Sequence, residues 1–424
     1  MQHAIRTLMK PDAWPAFARG MMAYGSAEAI TRIVRLGAIL VVARQVSPEM
    51  LGTAALALSL FELVRVLANV GIGQRIITAR EDELDAICNA AHRLFWMVCL
   101  GVSSLQLVLA ATLGLGFGLG EAAAMLAVLS GVYLFMPAGL VQIFLAMRAQ
   151  RMGATARVAA TQNIADSAVT VLLVLAWPSA WAIVLPKLLT APIWLMLARR
   201  TFQWTPNRDV AAAPASEFAA FGPAILGSEM LTAARLHCDK LLVGALLGTE
   251  ALGLYFFAFN AGLGITQSLV TACNLVLFPH LAKLSGAKFE DEFKRAFAMG
   301  LSVVIPLVAA QALLAPFYVP VVFGENWIAA TPYLSLLACA AIPLFIASLI
   351  GARLRAMGKP MAETGLMAIA TLFALSGLCL GAQAGLTAAC VGFVAGLAFV
   401  LLPAAFFQFA GLRLNKLIPL NGDQ

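Results

Sequence analysis

Long apolar stretches alternate with short polar breaks along the whole 424-residue chain. About 20 consecutive apolar residues suffice for a helix to cross a bilayer, so the pattern predicts membrane helices. Twelve spans can be drawn, at roughly 23–44, 50–75, 93–117, 121–147, 157–177, 180–201, 217–246, 250–282, 294–316, 330–354, 361–382 and 385–408. Some exceed the bilayer thickness, which implies tilt or extension beyond the headgroups. Prolines at 137, 186, 192, 223, 306, 343 and 403 fall inside spans and predict kinks.

The polar breaks give an orientation. One set carries Arg80 and Arg93; Arg148, Arg151 and Arg157; Arg199, Arg200 and Arg208; Lys283, Lys288, Lys294 and Arg295; Arg353, Arg355 and Lys359. The termini join it through Arg6, Lys10, Arg19, Arg413 and Lys416, whereas the alternate breaks are almost free of Lys and Arg beyond Arg44. The positive-inside rule makes the basic set cytoplasmic, with both termini inside and an even number of spans. Residues 1–22 mix Trp14, Phe17, Met21 and Met22 with Lys10 and Arg19, which suits an amphipathic interfacial segment rather than a cleaved signal.

The longest hydrophilic interruption, Gln203 to Glu217, falls almost midway. It divides the chain into a six-helix lobe at 23–202, a cytoplasmic linker at 203–216, a second six-helix lobe at 217–408 and a tail at 409–424. The halves repeat each other. Val46-Ser-Pro-Glu-Met-Leu-Gly52 matches Leu247-Gly-Thr-Glu-Ala-Leu-Gly253 at a shift of 201 residues, and the same shift takes Arg93 to Lys294. Gln150-Arg-Met-Gly153 resembles Arg355-Ala-Met-Gly358 at corresponding span ends.

Composition narrows the class. Apolar residues form 62% of the chain and charged residues 12%, and mean hydropathy is +0.90. A soluble domain is nearer half apolar and a quarter charged, so this is an all-α integral membrane protein. The net charge of +7 sits in short loops without an aromatic-laced basic stripe, which excludes nucleic acid as a partner. Seven scattered cysteines and four histidines show no ligand spacing, so neither a metal nor a disulfide framework is expected. No glycine pattern forms a phosphate loop, and Gly392-x-x-x-Gly396 reads as close helix packing. Every outside loop is short, which argues against a membrane enzyme, and no catalytic residue or cofactor is assigned.

Charges inside the spans carry the chemistry. Glu28, Arg32 and Arg35 share one helix face, as do Glu62, Arg65 and Asn69. Further along stand Asp166, Lys187, Glu229, Arg235, Asp239 and Lys240, with Arg235 and Asp239 spaced for an ion pair at i, i+4. A charge in hydrocarbon costs about 2.5–3.5 kcal/mol on insertion scales and normally faces a wet cavity or a partner. A mostly cationic interior suits transport of something anionic.

Val41-Val-Ala-Arg-Gln-Val-Ser-Pro-Glu-Met-Leu-Gly52 and Asn69-Val-Gly-Ile-Gly-Gln-Arg75 resemble the opening of polysaccharide-biosynthesis flippases. These form the polysaccharide transporter branch of the multidrug/oligosaccharidyl-lipid/polysaccharide exporter superfamily. Asp239 to Tyr255, Asn260 and Leu277-Phe-Pro-His-Leu281 extend the resemblance through the second half. Asn69 stands where the family commonly has aspartate, and the pattern yields twelve spans where fourteen are common.

The resemblance implies two six-helix lobes around a central cavity in the bacterial inner membrane. It also implies outward flipping, by alternating access, of undecaprenyl-diphosphate-linked oligosaccharide repeat units for exopolysaccharide, capsule or O-antigen. Polymerase and export proteins are the expected partners. Arg32, Arg35, Arg65, Lys187 and Arg235 are the candidates for a cationic cavity, since arginine grips phosphate oxygens bidentately. Glu28, Glu62, Asp166, Glu229 and Asp239 are the candidate coupling or ion-pair acids, for a proton or sodium gradient. The alternatives are a cation-coupled multidrug exporter of the same superfamily and a polymerase or scaffold of polysaccharide assembly.

Overall fold

A computed structural model of the chain describes residues 31, 34–219, 222–282, 284 and 286–409, with backbone alone at 219, 223, 224, 264–276, 278–280, 287 and 409. All regular structure among the described residues is helical. Two compact units form: one comprises residues up to Val46 with Ala57–Ala233, the other Ser47–Leu56 with Ala234 onward.

The first unit holds α1 (34–45), the second half of α2 (Pro48–Arg65), and α3 (Ile72–Thr78). It continues with α4 (Leu84–Phe117), α5 (Gly120–Leu129), α6 (Pro137–Arg148), α7 (Met152–Ala176), α8 (Ala180–Leu189), α9 (Ala191–Thr201) and the short α10 (Ser216–Ala219). The predicted span 121–147 is broken. A 3-10 turn at Ser130–Leu134 separates α5 from α6, and the pair bends by 55°. Pro137 has no N–H for the Tyr133 carbonyl, which explains the stop. Side chains of α4 take up exposed carbonyls there: Gln106 Nε2 donates to Leu126 O at 2.7 Å and Ser103 Oγ to Ser130 O at 3.2 Å. The buried Tyr133 hydroxyl donates to Gln106 Oε1 at 3.0 Å. Pro192 similarly divides α8 from α9 at Thr190.

Residues 203–215 are not a loose tether. Asn89 Nδ2 donates to Asn207 O at 2.7 Å and Val210 O at 3.0 Å, while the Asn207 N–H donates to Asn89 Oδ1 at 3.1 Å. The Ala213 N–H reaches Ala86 O at 3.0 Å, and Trp204 lies against His92. Beyond this strap, Phe218 is buried among Ile72, Ile76, Ile87, Phe95, Val141 and Leu145. The strap therefore extends the core of the first unit. Its polarity gave no hint of this, because its anchors are backbone groups and one asparagine of α4.

The second unit begins with α2's first turns and contains most of α11 (Gly222–Leu281). As one straight rod, 60 residues would run about 90 Å, three bilayer cores. At Gly248 the backbone leaves the helical region (φ 88°, ψ 175°), a conformation that glycine alone adopts freely, so α11 is two helical arms. Then come α12 (Gly286–Phe323), α13 (Thr331–Cys339), α14 (Ala341–Ala356), α15 (Pro360–Ala382) and α16 (Leu386–Phe409). The predicted span 330–354 is interrupted at Ala340, where Pro343 leaves the Cys339 carbonyl without its helical donor. Glycines bring α15 and α16 backbone to backbone. A Cβ added at Gly392 would meet Gly377 O at 2.0 Å, and one at Gly396 would meet Phe373 O at 2.3 Å.

Among the described residues nine helices are long and apolar enough to cross a membrane, ten with the bent α5–α6 pair. α11 contributes one to that tally despite its two arms, and span 23–44 is described only at 31 and 34–44. The chain is thus an all-α multi-pass membrane protein.

The repeat is visible in the backbone. α6 and α14 end alike: Arg151 N donates to Ala146 O (2.9 Å) and Lys359 N to Leu354 O (2.8 Å), with Gln150 and Gly358 at φ 60° and 71°. This corrects the register at that point, since Gln150 corresponds structurally to Gly358 and not to Arg355. Within the second unit, Gly52 of α2 and Gly253 of α11 pack reciprocally. A Cβ at Gly52 would meet Thr249 O at 1.7 Å, and a Cβ at Gly253 would meet Pro48 O at 1.7 Å. Under the 201-residue shift Pro48 maps to Thr249 and Gly52 to Gly253, so these are one contact made twice.

Candidate functional site

Helical spacing brings some of the predicted charges together and separates others. Glu28 and Arg32 lie outside the described residues, and Arg35 is exposed on α1. At the end of α2, Arg65 Nη2 lies 2.6 Å from Glu62 Oε2, the i, i+3 pair expected of one helix face. Asn69 is exposed just beyond it, its N–H closing the turn on Val66 O at 2.9 Å.

Asp166 on α7 and Lys187 on α8 meet across adjacent helices, with Nζ 3.0 Å from Oδ2. Their side chains are 18% and 28% exposed, so the pair is reachable. Only one carboxylate oxygen is used: Oδ1 is covered and has no partner among the described residues. The Thr170 hydroxyl, one turn along, donates to the Asp166 main-chain carbonyl at 2.7 Å.

The i, i+4 pair between Arg235 and Asp239 does not form. Asp239 turns instead to its neighbour: Lys240 Nζ lies 3.1 Å from both carboxylate oxygens, and the Tyr255 hydroxyl donates to Oδ2 at 3.0 Å. Lys240 also donates to Leu236 O at 2.7 Å and sits 3.8 Å over the Phe259 ring. Asp239 and Tyr255 are fully buried and Lys240 nearly so. Every group of this cluster is satisfied within the second unit, as a buried ion pair requires.

Arg235, one turn earlier, is half-buried and makes no hydrogen bond or ion pair with the described residues, although the field of Glu363 reaches it. Glu229 is half-buried on the same arm of α11.

Other ion pairs escaped sequence reasoning, their members lying at the ends of spans and loops. Arg355 at the end of α14 pairs with Glu363 in the first turn of α15. Arg353 reaches Glu290 on α12 at 2.5 Å and Gln408 O at 3.0 Å, with Phe293 beside it. Arg75 bridges Glu83 and Glu217, each at 3.0 Å, and so pins α10 to α3. Burial works against the Arg75 charge, but the hydrogen bonds and fields of both carboxylates outweigh it and hold its proton above the usual arginine range. No group of three or more His, Cys, Asp or Glu side chains that could hold a metal ion occurs among the described residues.

The fold and these ion pairs define the class: an all-α, multi-pass membrane protein with charged groups paired inside its spans. The chain belongs to the family of polysaccharide biosynthesis proteins, which matches residues 41–332.

Among curated relatives it is 24% identical over 311 residues to the succinoglycan biosynthesis transport protein ExoT of Rhizobium meliloti, covering 70% of this chain and 60% of that protein. It is 22% identical over 381 residues to the lipopolysaccharide biosynthesis protein WzxC of Escherichia coli, covering 87% and 76%. The chain thus spans less than two thirds of the succinoglycan protein's length. Among solved structures, the lipid II flippase MurJ in an inward closed conformation superposes with a TM-score of 0.74 at 13% identity, covering 95% and 94% of the chains. An inward-facing multidrug resistance MATE family transporter gives 0.68 at 14%, covering 92% and 96%. The fold is that of these transporters.

Proposed function

We propose that this protein flips undecaprenyl-diphosphate-linked oligosaccharide repeat units across the bacterial inner membrane, supplying exopolysaccharide, capsule or O-antigen synthesis. Family membership supports a role in polysaccharide biosynthesis, and the names of the succinoglycan and lipopolysaccharide relatives agree with it. The observation that carries the lipid-diphosphate reading is Arg235. Glu62, Asp166 and Asp239 are each matched by a cation of the chain, whereas Arg235, on a half-buried position of a membrane helix, makes no hydrogen bond or ion pair among the described residues. A planar, permanently charged donor set in that setting suits a diphosphate. The basic loops support cytoplasmic termini, and alternating access with coupling to an ion gradient completes the reading.

The test is transfer of a fluorescent undecaprenyl-diphosphate oligosaccharide between leaflets of proteoliposomes. Wild-type protein moves it, and Arg235→Ala slows movement about tenfold or more, the worth of one charge-assisted phosphate contact. Unchanged transfer by Arg235→Ala removes the assignment of Arg235, and no transfer by wild type removes the function.

A further inference from the structure

The two intramembrane Asp–Lys pairs are built differently. Around Asp239 both carboxylate oxygens are bonded, the lysine has a carbonyl and a ring as further partners, and all is buried. At Asp166 one oxygen takes Lys187 and the other, though covered, has no partner. Lys187 spends one of its three N–H groups on Asp166 and shows no second bond among the described residues. It stands one residue after Pro186 and close to the break at Thr190 that ends α8, with its side chain partly exposed. The first pair is a closed structural cluster. The second is half-filled and accessible.

We infer that Asp166 and Lys187 form an exchange pair that links proton binding to anion binding. An anionic phosphate oxygen draws the Lys187 ammonium away from Asp166, and a proton from solvent takes the ammonium's place on the carboxylate. The balance is complete: lysine keeps its three protons and now neutralises the phosphate, while the carboxylate becomes a neutral acid. Without that proton a bare carboxylate would stand in the apolar layer, which is the costly arrangement. Linkage makes the effect reciprocal, so a proton on Asp166 also favours the anion on Lys187.

The surroundings leave this exchange to the pair. α7 packs against α6, α8 and α9, and α8 also against α5 and the 3-10 turn. Arg148 on α6 is spent on Ala79 O and Glu81, Arg199 on α9 reaches Ala138 O, and Arg157 on α7 reaches Gly153 O. Arg200 lies in the last turn of α9 and Glu121 in the first turn of α5, while Tyr133 donates to Gln106. None of these is bonded to Asp166 or Lys187.

This inference rests on the lipid-diphosphate reading and is tested with farnesyl diphosphate as the probe. Binding to the purified full-length protein in detergent is followed by calorimetry in buffers of different ionisation enthalpy, which counts protons taken up. Wild type takes up roughly one proton more per ligand than Asp166→Asn, which binds without the extra proton and with a flatter pH dependence. Lys187→Met weakens binding about tenfold or more. The charge-neutral double variant Asp166→Asn/Lys187→Gln checks that a loss is not a folding failure. Equal proton counts for wild type and Asp166→Asn overturn the exchange and leave the flippase reading standing. Failure of wild type to bind the probe overturns both.

Discussion

Gly52→Ala is a one-carbon change with a large consequence. The new Cβ would lie 1.7 Å from Thr249 O, 2.7 Å from Thr249 C and 2.9 Å from Gly253 N. Ordinary contact needs about 3.4 Å, so the α2 and α11 backbones must separate by roughly 1.5 Å. Both partners are main chain, and no side chain can swing aside. Overpacking of a tight contact costs about 1–3 kcal/mol, and this one lies at the severe end. For a unit of some 200 residues that corresponds to a fall in the unfolding midpoint of roughly 4–10 °C. Gly253→Ala, 1.7 Å from Pro48 O, should cost the same by the repeat.

The double variant is the decisive one. Separating the backbones for one Cβ makes room for the other, so the loss in the double variant should fall short of the sum of the two single losses by about 1 kcal/mol or more. The assay is tryptophan fluorescence during heating of the detergent-solubilised protein. Gly101→Ala is the control, because nothing lies within 4 Å of its new Cβ and helix propensity alone predicts a neutral or slightly stabilising change. A Gly52→Ala midpoint within a degree of wild type, or strict additivity in the double variant, refutes the reciprocal contact.

Two further predictions concern polar anchors. Asn89→Ala removes two donated bonds and one accepted bond from the strap at Asn207 and Val210, so limited trypsin cleavage after the exposed Arg208 should accelerate about tenfold or more; an unchanged cleavage rate means the strap is not held there. In the Asp239 cluster, Tyr255→Phe deletes one bond to the carboxylate at a cost of about 1.5–3 kcal/mol, whereas Lys240→Met strands a buried charge and should cost about 3–5 kcal/mol, an order of stability that thermal unfolding checks directly.

What was readable from residues alone follows from what constrains each feature. Span positions and proline breaks depend on local chemistry, apolar length and a missing N–H. Pro137, Pro192 and Pro343 stand at breaks, whereas Pro186, Pro306 and Pro403 lie inside continuous helices and the expected span 50–75 ends at Ala68. Even so, the strength of the breaks at 130–136 and at Ala340 was hidden. A proline marks the bond that is lost, but whether the helix merely kinks or stops depends on side chains such as Gln106 that arrive from another helix. The repeat was legible at Pro48–Gly52 because backbone contact forces glycine in both copies. At Gln150 it was misaligned by three residues, since the sequence match follows side chains while the helix-end motif follows φ, and Gln150 adopts the positive φ that Gly358 adopts more easily.

Charge pairing was the least legible, for a geometric reason. Arg235 and Lys240 are both within one helical turn of Asp239, and rules for an exposed helix favour the i, i+4 partner. Burial reverses that preference. Asp239 points to where Tyr255 can donate and Phe259 can cover a cation, and a lysine's flexible stem can fold back to reach both carboxylate oxygens and the Leu236 carbonyl. The partner that loses is then the informative one. Because Lys240 satisfies Asp239, Arg235 is released from its nearest acid and has no bonded partner among the described residues. The buried cluster thus keeps Asp239 from claiming the arginine. Lys240→Met should therefore do more than destabilise. With its lysine gone, Asp239 would compete for Arg235, and a diphosphate probe should bind more weakly even where the variant remains folded.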